Sequence, residues 1–221
     1  MKKNIIYKNF IFCTYSKFSK VVSELKGNNF SIDSLTCSIL NKEIISSFFK
    51  IKVYEDPCYL MKAIKNKSEI KHMINAHIED GLALTKFIFW IKKINKKEIT
   101  ELDAKNKLEI FRKKSKNYLF PSFDTIAGTG SNGAIVHYKV SKKSNRCINK
   151  RDLFLCDSGG QYNFGTTDVT RTICFSQQKK SIKNIFTKVL KGHIAVVNTN
   201  LEKDNTGKKI DIRARKFLKK D

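Results

Sequence analysis

The feature that most restricts the fold of this chain is the stretch Leu153-Phe-Leu-Cys-Asp157-Ser-Gly-Gly-Gln-Tyr-Asn-Phe-Gly-Thr-Thr-Asp168-Val-Thr-Arg171-Thr172. Two runs of alternating character flank a glycine-bearing segment, the pattern of paired strands rather than of a helix. Residues two apart share a strand face, so Leu153, Leu155 and Asp157 lie together on the first strand. Asp168, Thr170 and Thr172 share a face of the second. The segment 158–165 reads as a turn whose glycines tolerate unusual dihedrals. Two carboxylates can thereby point at one centre. An unpaired carboxylate among apolar neighbours is costly, which makes a shared cation one natural partner. Spacing alone leaves a second reading open, in which both aspartates cap turns or pair with lysines.

Upstream the period changes. Ile70, Met73, Ile74, His77, Gly81, Leu84, Ile88 and Ile91 recur at steps of three and four, which predicts an amphipathic helix from Ser68. His77 on this stripe reads as a partly buried histidine satisfied by a neighbour, not as a ligand or base. Glycine within a helix costs about 1 kcal/mol against alanine, so Gly81 predicts close backbone packing. Thr100-Glu-Leu-Asp103 opens a second helix in the manner of a capping box, with Ala104, Leu108 and Phe111 on one face. Strands are expected at 123–126, 134–138, 153–157 and 168–175, then helices at 182–197 and 210–218. Residues 1–60 read as short strands near 21–25, 30–33 and 51–54 around a helix near 35–49, interrupted at Pro57. The expected division is therefore 1–60 and 61–221.

Composition narrows the class. A chain of 221 residues forms one ordinary domain, or one with a fragment of another. At 41% hydrophobic and 11% aromatic, wholesale disorder is excluded. The best apolar run, Phe87-Ile88-Phe89-Trp90-Ile91, falls far short of the ~20 residues of a membrane helix. Asn4, Lys8 and Asn9 interrupt any secretory signal. Six cysteines without a C-x-x-C pair fit neither a disulfide framework nor a zinc site, and read as reduced, mostly buried thiols of a cytoplasmic protein. Lys and Arg number 44 against 20 Asp and Glu, a formal charge of +24. That charge favours anionic partners, yet the basic clusters are spread over every expected element and no nucleic-acid-binding signature accompanies them. A solvated lysine-rich surface is expected, with no specific nucleic-acid partner and no membrane.

Gly128-Thr-Gly130-Ser-Asn-Gly133 spells G-x-G-x-x-G, but Ala-Ile-Val-His-Tyr follows it. A dinucleotide fingerprint must open a helix whose N-terminus receives the pyrophosphate, so that reading is rejected.

The stretch from Asp157 to Thr172, together with Phe123-Asp-Thr-Ile and Asn132-Gly-Ala-Ile-Val-His137-Tyr138, resembles the aminopeptidase P (Xaa-Pro aminopeptidase) branch of the pita-bread metallopeptidases. Supporting matches are Lys62-Ala-Ile-Lys-Asn, His77-Ile-Glu-Asp-Gly-Leu-Ala-Leu, Phe186-Thr-Lys-Val-Leu-Lys-Gly-His193-Ile-Ala, and Thr206-Gly with Asp211 and Ala214-Arg215. The likeness runs from about residue 20 to the end. It implies an α/β (α+β) chain: the first half of a pita-bread fold, antiparallel strands packed with helices, after a remnant of an N-terminal creatinase-like domain. It implies release of the N-terminal residue from peptides with proline second, at two divalent metals, usually manganese, bridged by hydroxide. Asp157 matches the first metal-binding aspartate and Asp168 the bridging one. His137 matches the substrate-side histidine near the scissile carbonyl, and His193 a position that is not a ligand.

The family also needs one further His and two Glu as ligands, whereas beyond Asp168 this sequence holds one His, His193, and one Glu, Glu202. Ser131 stands where the family usually has Pro, and Phe164 where it usually has Asp. The expectation is a C-terminally truncated copy, inactive and marginally folded alone because sheet edges and helix faces are left uncovered. The same features suit one half of a split enzyme completed by a complementary chain. The alternative is a non-catalytic pita-bread module whose basic surface contacts nucleic acid or acidic proteins.

Overall fold

A computed structural model describes residues 12–94, 99–203 and 206–219. The chain divides into two compact units, Met1–Asn66 and Lys67–Asp221. In the first, a 3-10 turn (Tyr15–Lys17) leads into α1 (Phe18–Ser23), β1 (Asn29–Ile32), α2 (Ile39–Ser46), β2 (Lys50–Val53) and α3 (Pro57–Ala63). β1 and β2 pair in parallel, Phe30 opposite Ile51, and α2 makes the crossover that parallel pairing demands. Val22, Ile32, Ile45 and Phe49 form a small core. Residues 21–25, expected as a strand, belong to α1 and the turn after it. Only Val22 is buried there while Val21 and Leu25 face solvent, so a one-sided helix suffices. Pro57 opens a helix: it sits at the first position of α3, where no backbone donor is needed, and Asp56 caps the Cys58 amide at 2.8 Å.

The second unit begins with α4 (Lys67–Lys93) and α5 (Glu101–Arg112), followed by β3 (Tyr118–Pro121) and β4 (Ile126–Thr129). A 3-10 turn (Gly130–Ala134) precedes β5 (Leu153–Ser158), β6 (Gly160–Tyr162), β7 (Gly165–Thr166) and β8 (Val169–Cys174). Two helices close the series, α6 (Lys180–Val197) and α7 (Gly207–Arg215). β5 is the central strand of an antiparallel β4-β5-β8 sheet. Its inner face, Phe154 and Cys156, packs with Leu84, Phe87, Ile91, Ala104 and Leu108 of α4 and α5 into the main core.

α5 starts as the sequence indicates. Thr100 Oγ1 accepts from the Asp103 amide, and the Asp103 carboxyl accepts from the Thr100 hydroxyl at 2.7 Å and the Thr100 amide at 2.9 Å, which together hold it below the usual carboxylate range. α4 forms and buries Leu84 and Ile91 of the expected stripe, but its inward face also takes in Ala76, Asp80, Ala83 and Phe87. Ile70, Met73 and Ile74 stay exposed. The small Ala76 is what the contact requires, because a Cβ on Gly165 of β7 would lie 2.9 Å from its methyl. His77 is consequently exposed, its ring Nδ1 donating to the Met73 carbonyl at 2.9 Å. A Cβ on Gly81 would meet nothing within 4 Å outside its own helix, so the glycine marks no close packing.

The segment 158–165, expected as a turn, is more than that. β5 leaves its sheet at Gly159, where a Cβ would sit 1.9 Å from the Thr167 carbonyl oxygen. The chain then joins a second antiparallel sheet, β3-β6-β7, before returning as β8. Tyr162 anchors this excursion: it is 1% exposed and donates to Asp80 Oδ1 at 2.9 Å. Arg112 clamps the same carboxylate through Nε (2.7 Å) and Nη2 (3.2 Å) and reaches Ser158 Oγ at 3.0 Å. Burial works against the Arg112 charge, and Asp80 more than offsets it, so the guanidinium is held above its ordinary value.

The expectation of mostly buried thiols is overturned. Cys156 is buried and Cys37 half-buried, but Cys13, Cys58, Cys147 and Cys174 are exposed, because they fall on an irregular segment, a helix surface, an isolated bridge to Thr100 and the outer face of β8. None of the six is paired. No helix among the described residues is long and apolar enough to cross a membrane.

Asp80→Asn leaves Arg112 buried against a neutral group and is expected to lower stability by about 3–5 kcal/mol, read by denaturant unfolding. Burial pushes the Cys156 thiol up to about 11, so alkylation of the native chain at pH 8 should label the four exposed cysteines and spare Cys156 until denaturant is added, as read by peptide mass spectrometry.

Candidate functional site

The antiparallel register fixes where the two aspartates go. Asp157 pairs with Thr170 across β5 and β8, and Thr170 Oγ1 donates to Asp157 Oδ1 at 2.7 Å. Asp168 lies two residues before Thr170, just outside β8, and so falls on the same face, diagonal to Asp157. Asp157 is half-buried and Asp168 exposed, with no ion pair or hydrogen bond to Asp168 among the described residues. Both line a cavity of about 390 Å³ together with Phe123, Asp124, His137 and Lys139. A groove of about 740 Å³ beside Phe89, Trp90 and Phe111 has no acidic or histidine side chain in its lining, and is not a candidate for metal chemistry.

His137 arrives differently from expectation. Residues 134–138 form no strand. The 3-10 turn ends at Ala134, and His137 has φ 54°, the only non-glycine positive φ among the described residues. The glycine triplet explains the path. A Cβ on Gly128 would lie 2.8 Å from the Gly133 nitrogen, and Gly130 is itself left-handed at φ 56°. The triplet therefore closes a tight turn at the end of β4, which turns the following residues toward the cavity. Tyr138, next in the chain, is buried, and burial together with nearby Glu101 pushes its phenol up.

Sequence reasoning did not find Asp124, whose carboxylate pairs with Lys105, or Thr170 as the partner of Asp157. Thr170 was within reach, since any antiparallel register that joins the two aspartate strands sets a residue near 170 opposite 157. Asp124 was not, because its nearness depends on a sheet partner some thirty residues away. His193 lies exposed on α6, and Glu202 in the turn after it.

Residues 71–221 match the model of metallopeptidase family M24. The chain belongs to this family. It is 43% identical over 175 residues to a probable Xaa-Pro aminopeptidase P of Paracoccidioides brasiliensis, an alignment covering 78% of this chain and 28% of that protein. To the Xaa-Pro aminopeptidase ApepP of Drosophila melanogaster it is 43% identical over 164 residues, 73% of this chain and 27% of the fly protein. The chain thus spans between a quarter and a third of the length of these curated relatives. Its structure superposes on the X-prolyl aminopeptidase of Caenorhabditis elegans, described as a cytosolic enzyme with a di-nuclear active site, with TM-score 0.75 and 28% identity over 92% of this chain and 35% of that one. A prolidase from Pyrococcus furiosus shares the fold, at TM-score 0.72, 24% identity and 94% and 59% coverage. The mixed helix-and-antiparallel-sheet architecture is the first part of the pita-bread fold of M24 enzymes.

The donor chemistry fits a hard divalent cation in part. Asp157 and Asp168 offer carboxylate oxygens on one wall of the cavity. No group of three or more His, Cys, Asp or Glu side chains able to hold a metal occurs among the described residues. Gly159→Ala, one residue beyond the Asp157-Ser158 pair, forces its new methyl onto the Thr167 carbonyl and is expected to displace Asp168 and unfold the second sheet, seen as a fall in melting temperature with loss of amide protection over 158–168.

Proposed function

We propose that this chain is the first half of the catalytic domain of a dinuclear-metal Xaa-Pro aminopeptidase, which releases the residue preceding proline from peptide N-termini. Asp157 and Asp168 are its contribution to the metal ligands, and His137 contacts the substrate near the scissile carbonyl. The two divalent ions, manganese in this reading, supply an activated water and polarise the carbonyl when bound. Thr170 orients Asp157 by donating to one of its oxygens, which leaves the other for a cation. His137 lines the same cavity as the aspartates. Residues 1–60 are read as a remnant of the preceding creatinase-like domain, and the protein as cytoplasmic.

The observation that carries this reading is the meeting of Asp157, Asp168 and His137 in one cavity of a chain that belongs to M24. Two aspartates do not hold two cations, so the His and two Glu ligands must come from polypeptide outside these 221 residues. The surface around α6 supports that requirement. Ile185, Phe186, Val189 and Ile194 of α6 are exposed, and a cavity of about 750 Å³ opens between this helix and Leu153, Thr172 and Cys174 of the sheet. Uncovered apolar area of this kind suits a complementary chain.

The isolated chain is therefore expected to show no turnover of an Xaa-Pro dipeptide with manganese. Turnover should appear on adding the C-terminal portion of an aminopeptidase P, and Asp157→Asn or Asp168→Asn should remove it by at least about a hundredfold. Turnover by the chain alone, or a reconstituted activity indifferent to both aspartates, would reject the proposal.

A further inference from the structure

Glu101 is fully buried in the first turn of α5 and forms no salt bridge among the described residues. All of its partners are donors. Oε1 accepts from the Thr129 amide at 2.7 Å and from Asn132 Nδ2 at 3.1 Å. Oε2 accepts from the Tyr138 hydroxyl at 2.9 Å, the Arg146 amide at 3.1 Å and again Asn132 Nδ2 at 3.1 Å. A carboxylate has several acceptor sites and no hydrogen, so it alone among side chains of this size satisfies such a set. All four donor residues lie between 129 and 146, the segment that carries His137.

His137 in turn holds a backbone conformation that residues with a Cβ avoid, and which persists only where the surroundings over-determine it. Val136 on one side is 83% exposed and restrains nothing. On the other side Tyr138 is 6% exposed, its hydroxyl fixed by Glu101 and by Asn132 Nδ2 at 2.8 Å. The restraint on His137 therefore comes through Tyr138, whose amide donates to the Ile135 carbonyl at 3.2 Å and closes a turn around His137, and whose side chain is anchored by Glu101.

We propose that Glu101 is a positioning residue: a buried anionic template on which 129–146 folds, so that His137 is held left-handed with its ring at the cavity of Asp157 and Asp168. Glu101 does not line that cavity. The functional meaning of this placement rests on the reading of His137 as the substrate-side group, while the structural coupling does not.

The coupling is tested on the 221-residue chain with His137→Gly and His137→Ala, each made with Glu101 intact and with Glu101→Gln, by melting temperature. Gln cannot accept from the Arg146 amide and the Thr129 amide together without aiming its own NH₂ at a donor. At a left-handed position glycine outranks alanine, and at an ordinary position alanine outranks glycine. With Glu101 intact, the Gly variant is expected to melt about 2–4 °C above the Ala variant. With Glu101→Gln that order should vanish or reverse. An equal advantage of Gly in both backgrounds would overturn the proposal, because Glu101 would then support the fold without holding residue 137. Alanine above glycine with Glu101 intact would overturn it as well. Should Glu101→Gln not melt cooperatively, Tyr138→Phe replaces it, removing one donor and the same link. A manganese titration of the Asp157 and Asp168 variants bears on the metal reading alone, so the two claims can fail separately.

Discussion

The second unit of this protein is organised around one buried ion pair. Asp80 of α4 and Arg112 of α5 meet at 2.7 Å, with side chains 1% and 0% exposed, and Ser158 and Tyr162 complete the cluster. Desolvating such a pair costs several kcal/mol per ion, so its net gift to stability is small and its value is geometric. It joins two helices to the end of β5 and the end of β6 at a single point. Ser158 follows Asp157 directly, so the place where β5 terminates, and with it the height of Asp157 in the sheet, is set by what Arg112 will accept. Tyr162, its phenol pushed up by burial and by Asp80, fixes the excursion that returns the chain at Asp168.

Glu101 is the second buried carboxylate and works by different means. Asp80 is neutralised by a guanidinium, whereas Glu101 is satisfied by a shell of amide and hydroxyl donors, which fixes the conformation of a loop rather than the approach of two helices. The Asp80–Arg112 pair removes equal and opposite charge from the surface, whereas Glu101 is buried without a countercharge in a chain of formal charge +24. The two arrangements converge on one cavity, since the first sets the aspartates and the second sets His137.

Much of this was legible along the chain. The capping box at Thr100, the strands at 153 and 169, and the shared face of Asp157 and Asp168 follow from period and cap chemistry, which are local. The apolar stripe of α4 marks the helix and its C-terminal contacts at Leu84 and Ile91, but not the N-terminal part of the buried face, where the contact took Ala76 and Asp80 rather than Ile70, Met73 and Ile74. β3, β6 and β7 are strands of two to four residues whose pairing joins residues near 118 with others near 161, and no local pattern marks them. The run Ala134-Ile-Val-His-Tyr138 has strand composition but lies on a turn, because Tyr138 satisfies a buried carboxylate some thirty-seven residues earlier.

The sequence by itself determined α2, α4, α5, α6 and α7, the strands β1, β2, β5 and β8, the rejection of a dinucleotide site, and the placing of two aspartates on one side of a strand pair. These depend on interactions between residues near in the chain, or on the strict alternation of a strand. Only the tertiary structure decided which face of α4 is inward, that the glycine-rich segment leaves one sheet for another, that most thiols are exposed, and that His137 is held in a left-handed turn beside those aspartates. Apart from the thiols, each of these outcomes is set by a buried charge or a missing Cβ meeting a partner distant in sequence, and such a meeting leaves no periodic trace in the residues that make it.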